Sequence, residues 1–153
     1  MAANESYREM LSKWCLVVNP KKILEYGPGK STELIRMFCP KAEITSIEHD
    51  VKWYKEAVKL ESDLTHIVLA EAPEDDRNDP RWLDYICQSG MFDLIFIDGR
   101  ERVRCLVWAR EYIKPNGVII LHDAERNEYQ PGIEMFDKLE EWGGTVVLRR
   151  KHA

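Results

Sequence analysis

The sequence predicts an α/β fold: a doubly wound, mostly parallel sheet of about six strands with helices on both faces. Three observations carry this. Short apolar runs alternate with amphipathic stretches along the whole chain. A glycine turn, Gly27-Pro28-Gly29, follows the first such run, Ile23 to Tyr26, and opens a helical segment. Two later runs, Leu94 to Ile97 and Val118 to Leu121, are apolar at every position, as strands covered on both faces must be.

In order, Glu5 to Val18 reads as an amphipathic helix stopped by Pro20. The first strand is Lys22 to Tyr26, and a helix follows from Ser31 to Phe38, with Ser31 or Thr32 placed to cap it. Pro40 breaks the chain before the second strand, Glu43 to Glu48. A helix over Val51 to Leu60 and a third strand, His66 to Ala70, come next. The acid-rich stretch Glu71 to Pro80 is a loop, and Arg81 to Gln88 a short helix ended by Gly90. The fourth strand is Phe92 to Ile97, followed by a helix from Glu101 to Ile113. Pro115 and Gly117 precede the fifth strand, Val118 to Leu121. A last helix is expected from Gly132 to Trp142, turned by Gly143-Gly144 into a sixth strand, Thr145 to Leu148. So short an end leaves no room for an antiparallel hairpin after it. The uncapped sheet edge then favours a homo-oligomer.

The chain of 153 residues suggests one domain, spanning 1–153. Its net charge of -5 argues against bulk nucleic-acid binding. No apolar run approaches a membrane span, and the first residues lack the basic and apolar regions of a signal peptide. Cys15, Cys39, Cys87 and Cys105 lie far apart without zinc-motif spacing, as reduced thiols of a cytoplasmic protein.

In such sheets ligands sit beyond the carboxyl ends of the strands, where the strand order reverses. The residues to watch are therefore Gly27 to Thr32, Glu48 to Asp50, Glu71 to Pro73, Asp98 to Arg104 and His122 to Tyr129. Glycines let a ligand approach the backbone, and the following helix presents its free amides there. Glu48, about 20 residues on, can accept two hydrogen bonds from a ribose diol, the spacing of a Rossmann-type nucleoside site. The dinucleotide fingerprint wants a third glycine where Thr32 stands, which speaks against a nicotinamide oxidoreductase.

Leu24 to Thr32 resembles motif I of class I S-adenosylmethionine-dependent methyltransferases. Ser46-Ile47-Glu48-His49-Asp50 is similar to their second motif, Phe92 to Gly99 to motif IV, and Ile113 to Asp123 to the segment around strand five. The resemblance covers residues from about 20 to about 130 and is nearest to the branch with Ile-Asp-Gly after strand four and His-Asp after strand five. It implies that Glu25, Tyr26, Gly27, Gly29, Ser31 and Thr32 form the methionine end of a cofactor site. It further implies that Glu48 holds the ribose, that His49, Glu71 and Ala72 border the adenine, and that Asp98 faces the sulfonium and the acceptor. Trp53, Tyr54 and Trp82 are candidates for the adenine border or the core, and Trp108, Tyr112 and Trp142 for packing.

The activity implied is methyl transfer from S-adenosylmethionine to a small acceptor, at oxygen rather than nitrogen. The alternative is a non-catalytic cofactor-binding or partner subunit of the same fold. His122 is either the base or a cap of the turn it begins, with Asp98 and Asp123 orienting it or the acceptor. In the catechol-type branch, acids at these two positions bind a divalent metal and an amide residue follows the second. Here Ala124 follows, so Glu125 or water would complete the shell. Arg100, Arg102, Arg104 and Arg126 gather at the same end. They either bind an anionic acceptor, Arg100 and Arg126 above all, or pair with Glu101, Glu125 and Glu128 on a solvated face. Arg100 and Arg104 are expected on one helix face.

Overall fold

The structure is a computed structural model that describes residues 3–151. Helix α1 is Ala3–Val18, followed by β1 (Lys22–Tyr26), α2 (Lys30–Phe38), β2 (Glu43–Glu48), α3 (Val51–Ala57) and β3 (Thr65–Leu69). Then come α4 (Arg81–Ile86), β4 (Phe92–Ile97), α5 (Arg102–Tyr112) and β5 (Ile113–Leu121). The chain ends with α6 (Gln130–Ile133), β6 (Phe136–Trp142) and β7 (Thr145–Arg150).

The strands form one seven-stranded sheet in the order β3-β2-β1-β4-β5-β7-β6. β1 to β5 pair in parallel; β7 runs antiparallel to both β5 and β6. The order turns back between β1 and β4, so the loops after these two strands splay apart and leave a crevice.

Neighbouring residues on each strand serve opposite faces. Ile23, Leu94, Phe96, Ile120 and Val147 pack with Met10, Leu11 and Cys15 of α1 and Ile35 of α2. Leu24, Ile95, Ile97, Ile119, Val146 and Leu148 pack on the other face with Trp82, Tyr85 and Ile86 of α4 and Cys105, Leu106 and Ala109 of α5. Each fully buried Leu, Ile or Phe contributes on the order of 2 kcal/mol of transfer free energy, so these two layers hold the sheet between them. Among the described residues, all four cysteines are free thiols and no helix is long and apolar enough to cross a membrane.

The end of the chain differs from the sequence reading. The expected helix over Gly132 to Trp142 shrinks to the short α6, and most of that stretch is β6. The sheet thus has seven strands and does carry a terminal antiparallel hairpin, β6–β7. Phe136 and Leu139 look like one helix face at i, i+3, but Phe136 packs into one core layer and Leu139 against the other. That spacing suits a strand sandwiched between two layers. The hairpin also changes the edge: Lys13 and Trp14 of α1 donate to Glu140 of β6 at 2.6 and 2.8 Å. Trp108 and Trp142, expected as packing, are exposed, whereas Tyr112 is buried.

Candidate active site

The loop after β1 is built by its glycines and by Glu25. Gly27 has φ 91°, in the left-handed region, and a Cβ there would sit 3.1 Å from the Gly99 Cα. The loops after β1 and β4 can therefore touch only because this residue is glycine. Gly29 precedes the first turn of α2, and the helix starts at Lys30, so neither Ser31 nor Thr32 is its N-cap. Thr32 Oγ1 accepts from the Gly29 amide at 3.0 Å instead. The Ser31, Thr32 and Ser46 hydroxyls all donate to Glu25, which is fully buried. Burial pushes the Glu25 carboxyl up to about 7, against the pull of these donors. Tyr26 turns into the core and its hydroxyl donates to the Ile86 carbonyl at 2.7 Å. Glu25, Tyr26, Ser31 and Thr32 thus shape the loop from beneath rather than line the crevice.

A cavity of about 250 Å³ opens at the switch point, lined by Gly27, Pro28, Glu48, His49, Trp53, Glu74, Tyr85, Asp98, Gly99 and Arg100. Glu48 ends β2 with Oε2 accepting from the His49 and Asp50 amides, both at 3.0 Å, while Oε1 takes neither bond. Two amides thus fix the carboxylate at the cavity wall. On one side the cavity meets a second hollow of about 500 Å³ between His49 to Lys52 and Glu71 to Asp75. The Ala72 amide donates to the His49 carbonyl at 3.2 Å, which brings Glu71 and Ala72 beside His49. On the other side it meets a third, of about 250 Å³, lined by Arg77, Gly99 to Val103, Arg126, Glu128 and Tyr129. The three share lining residues, His49 and Glu74 on one side and Gly99 and Arg100 on the other, and so lie side by side as a groove at the carboxyl edge of the sheet.

A polar strap crosses that groove. Glu74 Oε1 lies 2.8 Å from His49 Nε2 and accepts from Arg100 Nε at 3.1 Å. Burial opposes a charged His49 ring, but Glu48 and Glu74 outweigh it and raise its pKa above the ordinary value. Behind His49 lie Trp82, its ring centroid 5.1 Å away, and Tyr85 at 5.8 Å. Trp53, by contrast, is an exposed aromatic on the groove wall.

The sequence reading did not foresee the place of Arg102. Its guanidinium lies between the two acids that end β4 and β5, 3.2 Å from Asp98 Oδ1 and 3.3 Å from Asp123 Oδ2. The i, i+4 spacing of Asp98 and Arg102 at a helix start was the available signal. Burial raises the Asp98 pKa, with Arg102 and His122 pulling it back. Two residues here hold left-handed backbones: Glu101 at φ 53° and Asp123 at φ 57°.

Asp98 and Asp123 do not fit a divalent ion in this arrangement. A guanidinium already stands between them, and among the described residues no group of three His, Cys, Asp or Glu side chains is placed to hold a metal.

His122 is buried beneath the groove. Its Nδ1 is 3.4 Å from Thr145 Oγ1, its Nε2 3.6 Å from Asp123 Oδ1, and the Tyr7 ring closes over it at 5.0 Å. Arg100 lies before α5 begins, so it does not share a helix face with Arg104. Arg104 pairs instead with Glu101, which also binds Arg77. Arg126 lies over the Tyr129 ring and 4.0 Å from Glu128.

No protein-family profile and no curated protein sequence matches this chain. Solved structures do. A methyltransferase-like protein from Silicibacter pomeroyi superposes with a TM-score of 0.73 at 21% identity, covering 95% of this chain and 84% of that one. A Podospora anserina methyltransferase with bound S-adenosylhomocysteine (SAH) gives 0.70 at 19% identity, covering 95% and 78%. A Bacillus cereus O-methyltransferase in complex with SAH gives 0.69 at 16% identity, covering 95% and 81%. At these identities the likeness establishes the fold: a Rossmann-like sheet assembled as in these methyltransferases.

Proposed function

We propose that the chain is a methyltransferase that uses S-adenosylmethionine and methylates an oxygen of a small anionic acceptor. One observation carries the reading: Glu48, pinned by two backbone amides at the end of β2, borders a groove that starts at the glycine loop and ends among arginines. The fold shared with proteins solved with SAH supports the same ligand.

In this reading Glu48 Oε1 accepts from the ribose diol. The hollow beside Ala72 and His49 takes the adenine, with Trp53 as an exposed ring available for stacking. Gly27 and Gly29 leave room for the amino-acid tail against the amides that begin α2. When bound, the cofactor supplies a methyl group already activated by its sulfonium. The chain's own task is then to exclude water and hold the acceptor in line.

Arg100 and Arg126 line the acceptor end, and a guanidinium grips a carboxylate or phosphate by paired hydrogen bonds. Arg100 must let go of Glu74 to do so, which ties acceptor binding to release of the strap. An acceptor that arrives as an anion presents a nucleophilic oxygen without losing a proton. That suits a site whose histidine is buried under the groove: His122 sets the position of Asp123 instead.

Calorimetry with S-adenosylmethionine and SAH tests the reading. The wild type is expected to bind both, and Glu48→Ala to bind them at least roughly tenfold more weakly, since a hydrogen bond to a charged group contributes about 1.5–3 kcal/mol. Failure of the wild type to bind either ligand removes the proposal. With labelled donor and a set of small carboxylic acids, Arg126→Ala should raise KM for the acceptor and leave cofactor affinity alone.

A further inference from the structure

The Arg102 side chain makes four hydrogen bonds and one further ion-pair contact. A guanidinium has five N–H groups. Here Nε donates to the Gly99 carbonyl at 2.9 Å, Nη1 to the His122 carbonyl at 2.8 Å and to Asp123 Oδ2 at 3.3 Å. Nη2 faces the Asp98 carbonyl at 3.4 Å and Asp98 Oδ1 at 3.2 Å. Five oxygens from the ends of β4 and β5 thus converge on one cation whose side chain is only 12% exposed. Two of them are carboxylate and three are main-chain carbonyl, the hard donor set that a divalent ion prefers.

Local structure builds this arrangement. Arg102 is the first residue of α5, four residues after Asp98, so the first turn returns its side chain to the end of β4. The left-handed backbone at Asp123 turns that carboxylate back toward the same point. Asparagine and aspartate tolerate this conformation better than most residues.

We infer that Arg102 is the permanent cation of this site: its guanidinium holds the position between Asp98 and Asp123 that a divalent ion would otherwise take, and the wild-type chain binds no metal there. The arginine cross-links the loops after β4 and β5, and offers the acceptor no Lewis acid. The inference goes beyond the methyl-transfer reading, because cation occupancy requires neither cofactor nor acceptor.

Mn2+ titration of the full chain, followed by the loss of the free-ion EPR signal, decides it without any activity assay. Wild type is expected to take up no Mn2+ that Asp123→Asn removes. Arg102→Ala should gain a site binding Mn2+ roughly tenfold or more tightly than wild type, and adding Asp123→Asn should abolish the gain. Arg102→Lys keeps a cation and should behave as wild type. Arg102→Met, which retains the apolar stem, is titrated beside the alanine variant in case the shorter side chain prevents folding. Mn2+ captured by wild type and released by Asp123→Asn would overturn the inference whether or not the variants fold. A folded Arg102→Ala or Arg102→Met with no gain would overturn it equally.

Discussion

Glu25 is a fully buried acid with three hydroxyls pointed at it, from Ser31, Thr32 and Ser46. The hydroxyls favour the carboxylate, but desolvation wins and carries the folded pKa from 4.5 to about 7. Between those two values the folded state binds more protons than the unfolded chain. Stability from this group is therefore full below about 4.5 and falls as pH rises through about 7. A tenfold difference in proton affinity between the two states corresponds to about 1.4 kcal/mol. Glu25→Gln should flatten that decline, because an amide does not titrate. Urea midpoints measured across this pH window check it. An unchanged slope in the variant would mean that the hydroxyls keep Glu25 ionised in the fold.

At the scale of elements, the loop after β1 makes the sharper prediction, because its two glycines differ. Gly27 has φ 91° and backbone of Gly99 about 3 Å from where a Cβ would sit; Gly29 is extended, with nothing within 4 Å. Gly27→Ala should cost about 1–2 kcal/mol, a drop of several degrees in Tm for a domain of this size, and Gly29→Ala close to nothing. Equal shifts in a thermal melt would remove the steric argument. This loop was legible in the sequence because its strand, glycines and helix are local signals. So were β2 and β4, whose bounds follow from their apolar runs and from the breakers Pro40 and Gly90 that precede them. The segment from Gln130 to Trp142 was not: Phe136, Leu139 and Trp142 fit a helical period, and only the presence of β7 as an antiparallel partner makes them a strand. At the crevice, the positions of Glu48 and His49 at the end of β2 were legible from the strand pattern. The role of Arg102 was hidden because it depends on Asp123, 21 residues later and on another strand.

At the scale of the molecule, the strand nearest the chain end is an interior one. β7 pairs with β5 through Ile119 to Leu121 and with β6 along its whole length, and Val146, Val147 and Leu148 are fully buried. β7 also supplies Thr145, which joins Ser6 Oγ at 2.9 Å and faces His122, tying α1 to the floor of the groove. The sheet cannot close until this segment arrives, since β7 is the one strand that β6 pairs with among the described residues. Without it, β5 would become an open edge with apolar faces on both sides, and β6 would detach with its contacts to α1. A chain stopped after Gly144 should therefore lose its cooperative transition rather than merely soften: three fully buried aliphatic side chains and two ladders of hydrogen bonds exceed the few kcal/mol by which a domain is stable. Circular dichroism melts and binding of an apolar dye follow this directly. A truncated chain that still melts cooperatively would show that the parallel half, β3 to β5, folds alone and that the hairpin is an addition to it.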